Sequence, residues 1–476
     1  MDSPTPSSVT LPLAQLAAPG YLAGALEIVR TLQMAGHAAL FVGGCVRNAL
    51  LNLALKDIDI ATSARPEQVA ALFREARTVG ANFGVQLVRR AMPDAVFQYE
   101  VATFRAEGAY VDRRRPVLEE LRYGTLAEDF VRRDFTVNAM YFDPLAGQLY
   151  DPAGGRVDLE QRLLRTVGDP ARRFDEDALR LLRAVRFAVR YGLTIEPATA
   201  DAIRQHAALL GEISAERIGD ELGRILTGPA PGRAMHLLAE LELWPHSIPE
   251  IEPMRGCAQP ANFHPEGDVF IHTALVLDEA RAAWQLHAGD AREPPVELML
   301  AALLHDVGKP PTFVVEDRIR FPEHQKVGAA MADVICRRLR FSNEVCEIVT
   351  ALVAGHMNFM EVQRMKPATL RRFLGQAHFD LHLALHRADV LGSNHFTANY
   401  EFCKAQLEAF AAAAAQPLLP PPLVTGHDLI ALGLKPGPLF KTVLAQVQDE
   451  QLEGRLATRE AALDWLRTRF AAMPGA

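Results

Sequence analysis

The spacing of apolar positions changes character near residue 150. Residues 20–37, GYLAGALEIVRTLQMAGH, carry apolar side chains at helical spacing and end at a glycine, which predicts an amphipathic helix. AALFVGG then reads as a short buried strand entering a tight turn. Strand signals continue through KDIDIAT, VQLVRRA and FQYEVATFR, with the helical RPEQVAALFREA between them. Residues 20–150 therefore predict a mixed α/β unit. After DPAGGRVDLEQR the strand signals stop, and from about residue 170 helix follows helix, interrupted at TGPAPGR, EIEPMRGCAQPANFHPEG and AAAAAQPLLPPPL. The alanines at 411–415 read as a helix end before a proline linker. The fold class expected is α+β, a sheet-bearing head followed by an all-α remainder.

Length and composition narrow this picture. A chain of 476 residues exceeds what one core holds, so roughly two to four domains are expected. With 49% hydrophobic and 23% charged residues it has the composition of a soluble globular protein. No continuous apolar run reaches the ~18 to 20 residues that span a bilayer, so no membrane partner is expected. The opening MDSPTPSSVTLPLAQLAAPG has no basic n-region or h-region and reads as a disordered lead-in, which predicts a cytoplasmic protein. Cys45, Cys257, Cys336, Cys346 and Cys403 form no CxxC pair and read as reduced thiols. The net charge of −8 excludes a generally basic coat, so a nucleic acid would be held by local patches such as DRRRP, VRRDF and ARRF.

The chemistry concentrates first in FVGGCVRNALLNLALKDIDIAT, residues 41–62. Along an extended strand Asp57 and Asp59 project to one side while Ile58 and Ile60 enter the core. Two carboxylates on one face repel unless a cation lies between them, the arrangement that suits Mg2+ and phosphate oxygens. Gly43 and Gly44 let backbone N–H groups approach phosphate, the following helix start adds its dipole, and Arg47 can clamp a phosphate oxygen. A solvated surface strand after an ordinary turn reads the same way when the motif stands alone. Glu100, on another expected strand, offers a third acid as ligand or general base. Arg132 and Arg133 lie beside an apolar strand and call for an anionic partner, or else for an ion pair with Asp134.

These segments, with EVATFR, RRDFTVNAMYFD, DPAGGRVDLEQRLLRTVGDP, FDEDALRLLRAVRFAVR and SAERIGDELGRIL, resemble the class II nucleotidyltransferases, the family of bacterial CCA-adding tRNA nucleotidyltransferases and poly(A) polymerases. The motifs cover residues 40–226 in the family's order. The resemblance implies a polymerase-β-like head in which Asp57 and Asp59 hold Mg2+ for attack of an RNA 3′-hydroxyl on the α-phosphate of a nucleotide. It also implies that Gly44, Arg47 and Arg133 contact that nucleotide.

Within EDALRLLRAVR, Asp177 and Arg180 stand three apart on an expected helix face that Arg183 continues. Asp177 accepting from an exocyclic amino group and Arg180 donating to the adjacent ring nitrogen would suit cytosine and adenine and reject uracil and guanine. The resemblance implies base reading at Asp177, Arg180, Arg183 and Arg186; the plain alternative is an amphipathic helix with i,i+3 ion pairs. VGANFGVQLV resembles the GxxFG of CCA-adding members, not the basic segment of poly(A) polymerases. Asp112 to Arg115 resembles their flexible-loop DxxR. Asn48 departs from the family's VRD and removes a charge.

A second constellation, His272, His305–Asp306, His324, His356 and Asp389, resembles the HD phosphohydrolase signature. Adjacent His–Asp on a helix ending at Gly308, completed by dispersed histidines, predicts one or two sites for Mn2+, Ni2+, Fe2+ or Zn2+ and metal-assisted phosphoester hydrolysis. The final segment, with GLKPGP and Lys435, resembles an RNA-binding tail and reads equally as a packing hairpin. The expected domains are a catalytic head at 20–150, a helical neck at 151–240, an HD domain at 255–400 and a tRNA-binding tail at 420–476. The activity these readings imply is template-independent addition of CCA to tRNA from CTP and ATP. The alternatives are a poly(A) or A-adding enzyme of the same family and an HD phosphohydrolase acting on nucleotides or RNA ends.

Overall fold

The computed structural model describes residues 5–79, 84–93, 95–106, 110–111, 115–116, 122–288, 293–412, 417–434 and 436–470. The chain divides into two compact units, Met1–Glu252 and Pro253–Ala476.

The first unit is built on an eight-stranded sheet. Its strands are β1 (Ser7–Ser8), β2 (Ala39–Val42), β3 (Ile60–Thr62), β4 (Arg77–Val79), β5 (Val85–Ala91), β6 (Val96–Thr103), β7 (Tyr141–Asp143) and β8 (Gln148–Tyr150). They lie in the order β1-β8-β7-β2-β3-β6-β5-β4. β3 runs parallel to β6 and antiparallel to β2, so the sheet is mixed, as the head expectation requires. All four residues of β2 are buried, which is what a central strand covered on both faces demands. Helix α1 (Pro19–Met34) buries Ile28, Val29 and Leu32 and lies against β2, β3 and β6. It stops before Gly36, whose φ of 85° is the left-handed position that terminates helices.

Beyond the sheet the unit is helical, with α3 (Leu126–Val131) preceding β7 and α4 (Pro170–Glu176), α5 (Leu179–Tyr191) and α6 (Ala215–Leu226) following β8; α2 (Gly44–Leu50) follows β2 directly. Two short strand pairs interrupt the expected all-helical remainder, Leu163–Leu164 with Thr194–Ile195 and Val314–Val315 with Ile319–Arg320.

The second unit is organised around α8 (Val296–Leu304), which is buried from Leu298 to Leu304; a helix apolar on all sides belongs in a core. It packs against α7 (Val269–Ala288), α10 (Asn343–Gly355) and α11 (Phe379–Leu391), while α9 (His324–Arg338) pairs with α10. By length and composition alone, Asn343–Arg364 could cross a membrane. Here Cys346, Val349, Leu352 and Val353 are buried inside the helical body, so its apolarity serves packing. Towards the end of the chain Leu429, Val443, Val447, Ala462 and Leu466 close a small separate core. It joins the rest of the unit where Arg371 donates to the Leu452 carbonyl.

One local expectation is corrected. The helix carrying the His–Asp pair ends at Leu304, and not at Gly308; His305 is its C-cap and Asp306 lies in the turn that follows. Gly308 is where this turn meets α9: a Cβ there would stand 2.2 Å from the His324 carbonyl oxygen and 2.6 Å from the Gly328 nitrogen. Only glycine permits that approach.

Candidate active site

In the first unit β3 starts at Ile60, so Asp57–Asp59 is the extended lead-in to the strand. The expected alternation still holds: Ile58 and Ile60 are buried, Asp57 is exposed and Asp59 is half-buried. Val42 donates its N–H to the Asp59 carbonyl at 3.1 Å, and Ile58 donates its N–H to the Tyr21 hydroxyl at 3.1 Å. The parallel register places Ile60 opposite Val101, which sets Glu100 alongside Asp59. Burial, then the charges of Glu100 and Asp57, raise the Asp59 carboxyl from 3.8 to about 6, with Arg133 opposing. A carboxylate raised by its acidic neighbours in this way would gain from a hard divalent cation beside it.

Between β2 and α2 lies Gly43, with φ 71° and ψ −121°. A Cβ at Gly43 would be 3.5 Å from Arg133 Nη1, so the turn and this arginine are immediate neighbours. Gly43, Gly44, Arg47, Asp59, Arg132, Arg133, Asp134, Asn138, Asp177, Arg180, Arg183 and Phe187 line one cleft of about 400 Å³. Five guanidinium groups against three carboxylates give it the charge balance to receive a polyphosphate.

The individual arginines are held more tightly than the sequence suggested. Arg47 is buried; its Nε and Nη2 donate to Asn48 Oδ1 at 3.2 and 3.0 Å, Nη1 to Asn138 Oδ1, and Nη2 to the Tyr191 hydroxyl. Its guanidinium also lies 4.0 Å from the Tyr191 ring centroid. The free bidentate clamp expected at Arg47 is therefore not available in this arrangement, and Asn48 has a structural task as the acceptor that fixes it. Arg132 and Arg133 pair with Asp129, and not with Asp134. Burial alone would raise the Asp129 carboxyl, but these two arginines hold it well below the usual range. Asp134 instead takes Arg183 Nε and Nη2 at 3.0 and 2.6 Å. Against the opposing effect of burial, Arg183 lowers Asp134 to about 2.

Asp177 and Arg180 do not share one helix. Asp177 is the C-cap of α4, with φ −150° and ψ 99°, and α5 begins at Leu179. The i,i+3 geometry gives way because the Asp177 carboxylate bonds locally, accepting from the Leu179 N–H at 3.2 Å, as short acidic side chains do at helix boundaries. Arg217 on α6 donates to both Asp177 oxygens at 3.2 Å. Arg180 is fixed by the Arg173 and Arg132 carbonyls, at 2.8 and 2.9 Å, and by Glu176 at 2.9 Å. Both groups nonetheless face the same cleft. Arg186 lies outside its lining and pairs with Glu221 at 2.5 Å. Asp112, the side chain of Arg115, most of the ANFG segment and Lys435 lie outside the described residues.

In the second unit the dispersed histidines converge. His272 Nε2 is 3.3 Å from His305 Nε2, and His324 Nε2 is 3.3 Å from His356 Nε2. Asp306 joins the two pairs: Oδ2 is 3.2 Å from His305 and 3.7 Å from His272, and Oδ1 is 3.5 Å from His324 and 3.9 Å from His356. Asp389 Oδ1 stands 3.1 Å from His272. Each Nδ1 meets an acceptor: Glu266 for His272, and the carbonyls of Ala302, Phe321 and Val353 for His305, His324 and His356. A proton held at each Nδ1 would leave Nε2 lone pairs facing each other across 3.3 Å. A cation would satisfy such facing lone pairs, and the groups His272, His305, Asp389 and Asp306, His324, His356 each have ligand atoms close enough to hold one. Glu266, which orients His272, and Lys309, 2.7 Å from Asp306 Oδ2, were not foreseen. Nothing in the spacing of PANFHPEGDVFIHT marks a glutamate six residues upstream as a partner of His272.

The Poly A polymerase head domain matches residues 39–165, the "Probable RNA and SrmB- binding site of polymerase A" matches 192–255, and the HD domain matches 269–390. A CCA-adding enzyme of Levilactobacillus brevis is 30% identical over 446 residues, covering 92% of this chain and 96% of that one. The chain belongs to the CCA-adding enzyme family. The CCA-adding enzyme of Anoxybacillus flavithermus is 44% identical over 229 residues, covering 48% of this chain and 55% of that protein. The chain thus spans about half the length of such relatives at higher identity. The crystal structure of the Bacillus stearothermophilus CCA-adding enzyme in complex with CTP superposes with a TM-score of 0.71 at 28% identity, over 96% of this chain and all of that one.

Within this family frame, Asn138, Glu176, Tyr191 and Arg217, together with the pairing of Asp134 with Arg183, are what the sequence reading missed. Each acts by holding a residue that the motifs did identify. Their signal was hidden because partners as distant as Asp177 and Arg217 meet only through packing.

Proposed function

We propose that the first unit adds C, C and A to tRNA 3′ ends from CTP and ATP without a nucleic-acid template. The observation that carries this reading is that the acid Asp59 and the base-reading pair Asp177 and Arg180 line one arginine-rich cleft. Asp57 and Asp59 would hold Mg2+, which when bound supplies neutralisation of triphosphate charge and acidifies the attacking hydroxyl. Gly43, Gly44 and Arg133 receive the phosphates at the turn. Arg47 and Asn48 brace that turn. Asp177, aimed by Arg217, accepts from the exocyclic amino group of cytosine or adenine, while Arg180, locked by two carbonyls, offers a guanidinium N–H to the ring nitrogen. Glu100 serves as a third acid beside the pair. The protein is read as cytoplasmic.

For the second unit we infer a transition-metal centre on His272, His305, Asp306, His324, His356 and Asp389, with phosphoester hydrolysis as its chemistry. The bridging position of Asp306 between two histidine pairs favours two cations.

Incubation with tRNA lacking CCA, each nucleotide in turn and Mg2+ tests the main reading. CCA addition followed by arrest supports it. A long A tail points to a poly(A) polymerase, A addition only to tRNA ending in CC to an A-adding enzyme, and phosphate release without addition to a hydrolase. Asp57→Asn is expected to abolish addition.

A further inference from the structure

We infer that Tyr21 is a positioning residue for the Asp57–Asp59 pair, a strut tying that segment to the strand that carries Glu100. The inference rests on the nucleotidyltransfer reading of the same site. Ile58, between the two aspartates, is 1% exposed, and the ladder of β3 begins only at Ile60. Its N–H finds its acceptor in the Tyr21 hydroxyl at 3.1 Å. Without that oxygen a buried donor would be unpaired at the centre of the metal-binding segment.

The other end of the strut is equally fixed. The Tyr21 ring stacks on Tyr99 with centroids 4.9 Å apart and planes 13° apart, and lies 5.4 Å from Phe97. Tyr99 donates its hydroxyl to the Tyr21 carbonyl at 2.7 Å. Three residues along α1, a Cβ at Gly24 would stand 2.4 Å from the Tyr99 hydroxyl, so the helix carries a glycine where this phenol enters. Tyr99 precedes Glu100 on β6. One side chain thus sets the distance between the strand that supplies the third acid and the loop that supplies the first two. Holding the backbone between two ligands fixes the spacing of their carboxylates, and such supporting contacts tune metal affinity.

The test compares the full chain with Tyr21→Phe, which keeps the ring and removes the oxygen. Mn2+ binding is followed by electron paramagnetic resonance without nucleotide, in full chains that also carry Asp306→Asn to remove the centre of the second unit, with Mg2+ as competitor. CMP incorporation is followed against Mg2+ at saturating CTP. The variant is expected to need roughly tenfold more metal for half-saturation in both assays, with KM for CTP unchanged once metal saturates. Metal half-saturation equal to the wild type, even with a lowered unfolding temperature, would make Tyr21 a packing residue and overturn the inference. If Tyr21→Phe does not fold, Tyr99→Phe removes only the bond to the Tyr21 carbonyl. A raised metal requirement then supports the strut, and an unchanged one overturns it. If the wild type incorporates no nucleotide, the nucleotidyltransfer reading fails while the Mn2+ titration still decides the role of Tyr21; absence of Mn2+ binding overturns both.

Discussion

Asp59→Asn is expected to stabilise the first unit while abolishing nucleotide addition. The Asp59 carboxyl is raised from 3.8 to about 6 by burial and by its acidic neighbours. Between those two values the folded protein keeps a proton that the unfolded chain has released. Stability from this group therefore falls as pH rises through that window and stays low above it. A displacement of roughly two pH units at about 1.4 kcal/mol each amounts to about 3 kcal/mol of cost at pH 8. Asparagine keeps the shape and removes the charge, so in EDTA at pH 8 the variant should recover up to that amount. At about 2–4 °C per kcal/mol for a unit of this size, the calorimetric midpoint of its transition should rise by roughly 6–12 °C. At pH 4 the wild-type group is already protonated, and the gain should nearly vanish. Millimolar Mg2+ should raise the wild-type midpoint more than that of the variant, because the cation relieves the same repulsion. A variant less stable than wild type at pH 8 in EDTA, or an equal gain at both pH values, would refute the account of Asp59 as one of three mutually repelling acids.

Asp177→Ala should cost about a hundredfold in kcat/KM for CTP and ATP while bringing UTP and GTP closer to them; single-nucleotide kinetics with an unchanged preference order would remove Asp177 from base reading. Asp134→Ala leaves Arg183 without its carboxylate and should destabilise the first unit by about 2–4 kcal/mol in urea titrations, below the range for fully buried pairs because the Arg183 side chain keeps 32% of its exposure. Asp306→Asn should strip stoichiometric transition metal from the second unit, measured by elemental analysis after gel filtration; full retention would place the ligands elsewhere. Gly308→Ala should lower the calorimetric midpoint of the second unit, by several kcal/mol in stability, since the 2.2 Å approach to the His324 carbonyl involves backbone on both sides. An unaffected midpoint would mean that this contact is soft.

Although it missed the short strand pairs in the helical remainder, the sequence by itself was sufficient for that remainder's mainly helical character, a sheet-bearing first 150 residues and the identity of most chemical groups. These are local signals: alternation buries Ile58 and Ile60 while leaving Asp57 and Asp59 outward, and Gly36 stops a helix wherever its positive φ is required. The repeated His and His–Asp elements were legible because metal-ligand types are rare in apolar helices. What the spacing misjudged were boundaries set by competing bonds. Asp177 leaves the helix because its carboxylate finds the Leu179 N–H and Arg217, and the helix before His305 ends four residues early because Gly308 must meet α9.

Only the tertiary structure decided which charges answer which. Arg132 and Arg133 turn to Asp129 at the helical spacings i,i+3 and i,i+4, but Arg183 takes Asp134, and Arg47 takes Asn138 and Tyr191, across 49, 91 and 144 positions. Pairing over such separations depends on distances of a few ångströms between side chains far apart in sequence, and no periodicity encodes those distances. The residue types therefore determined what chemistry was present, and the packing determined where it could act.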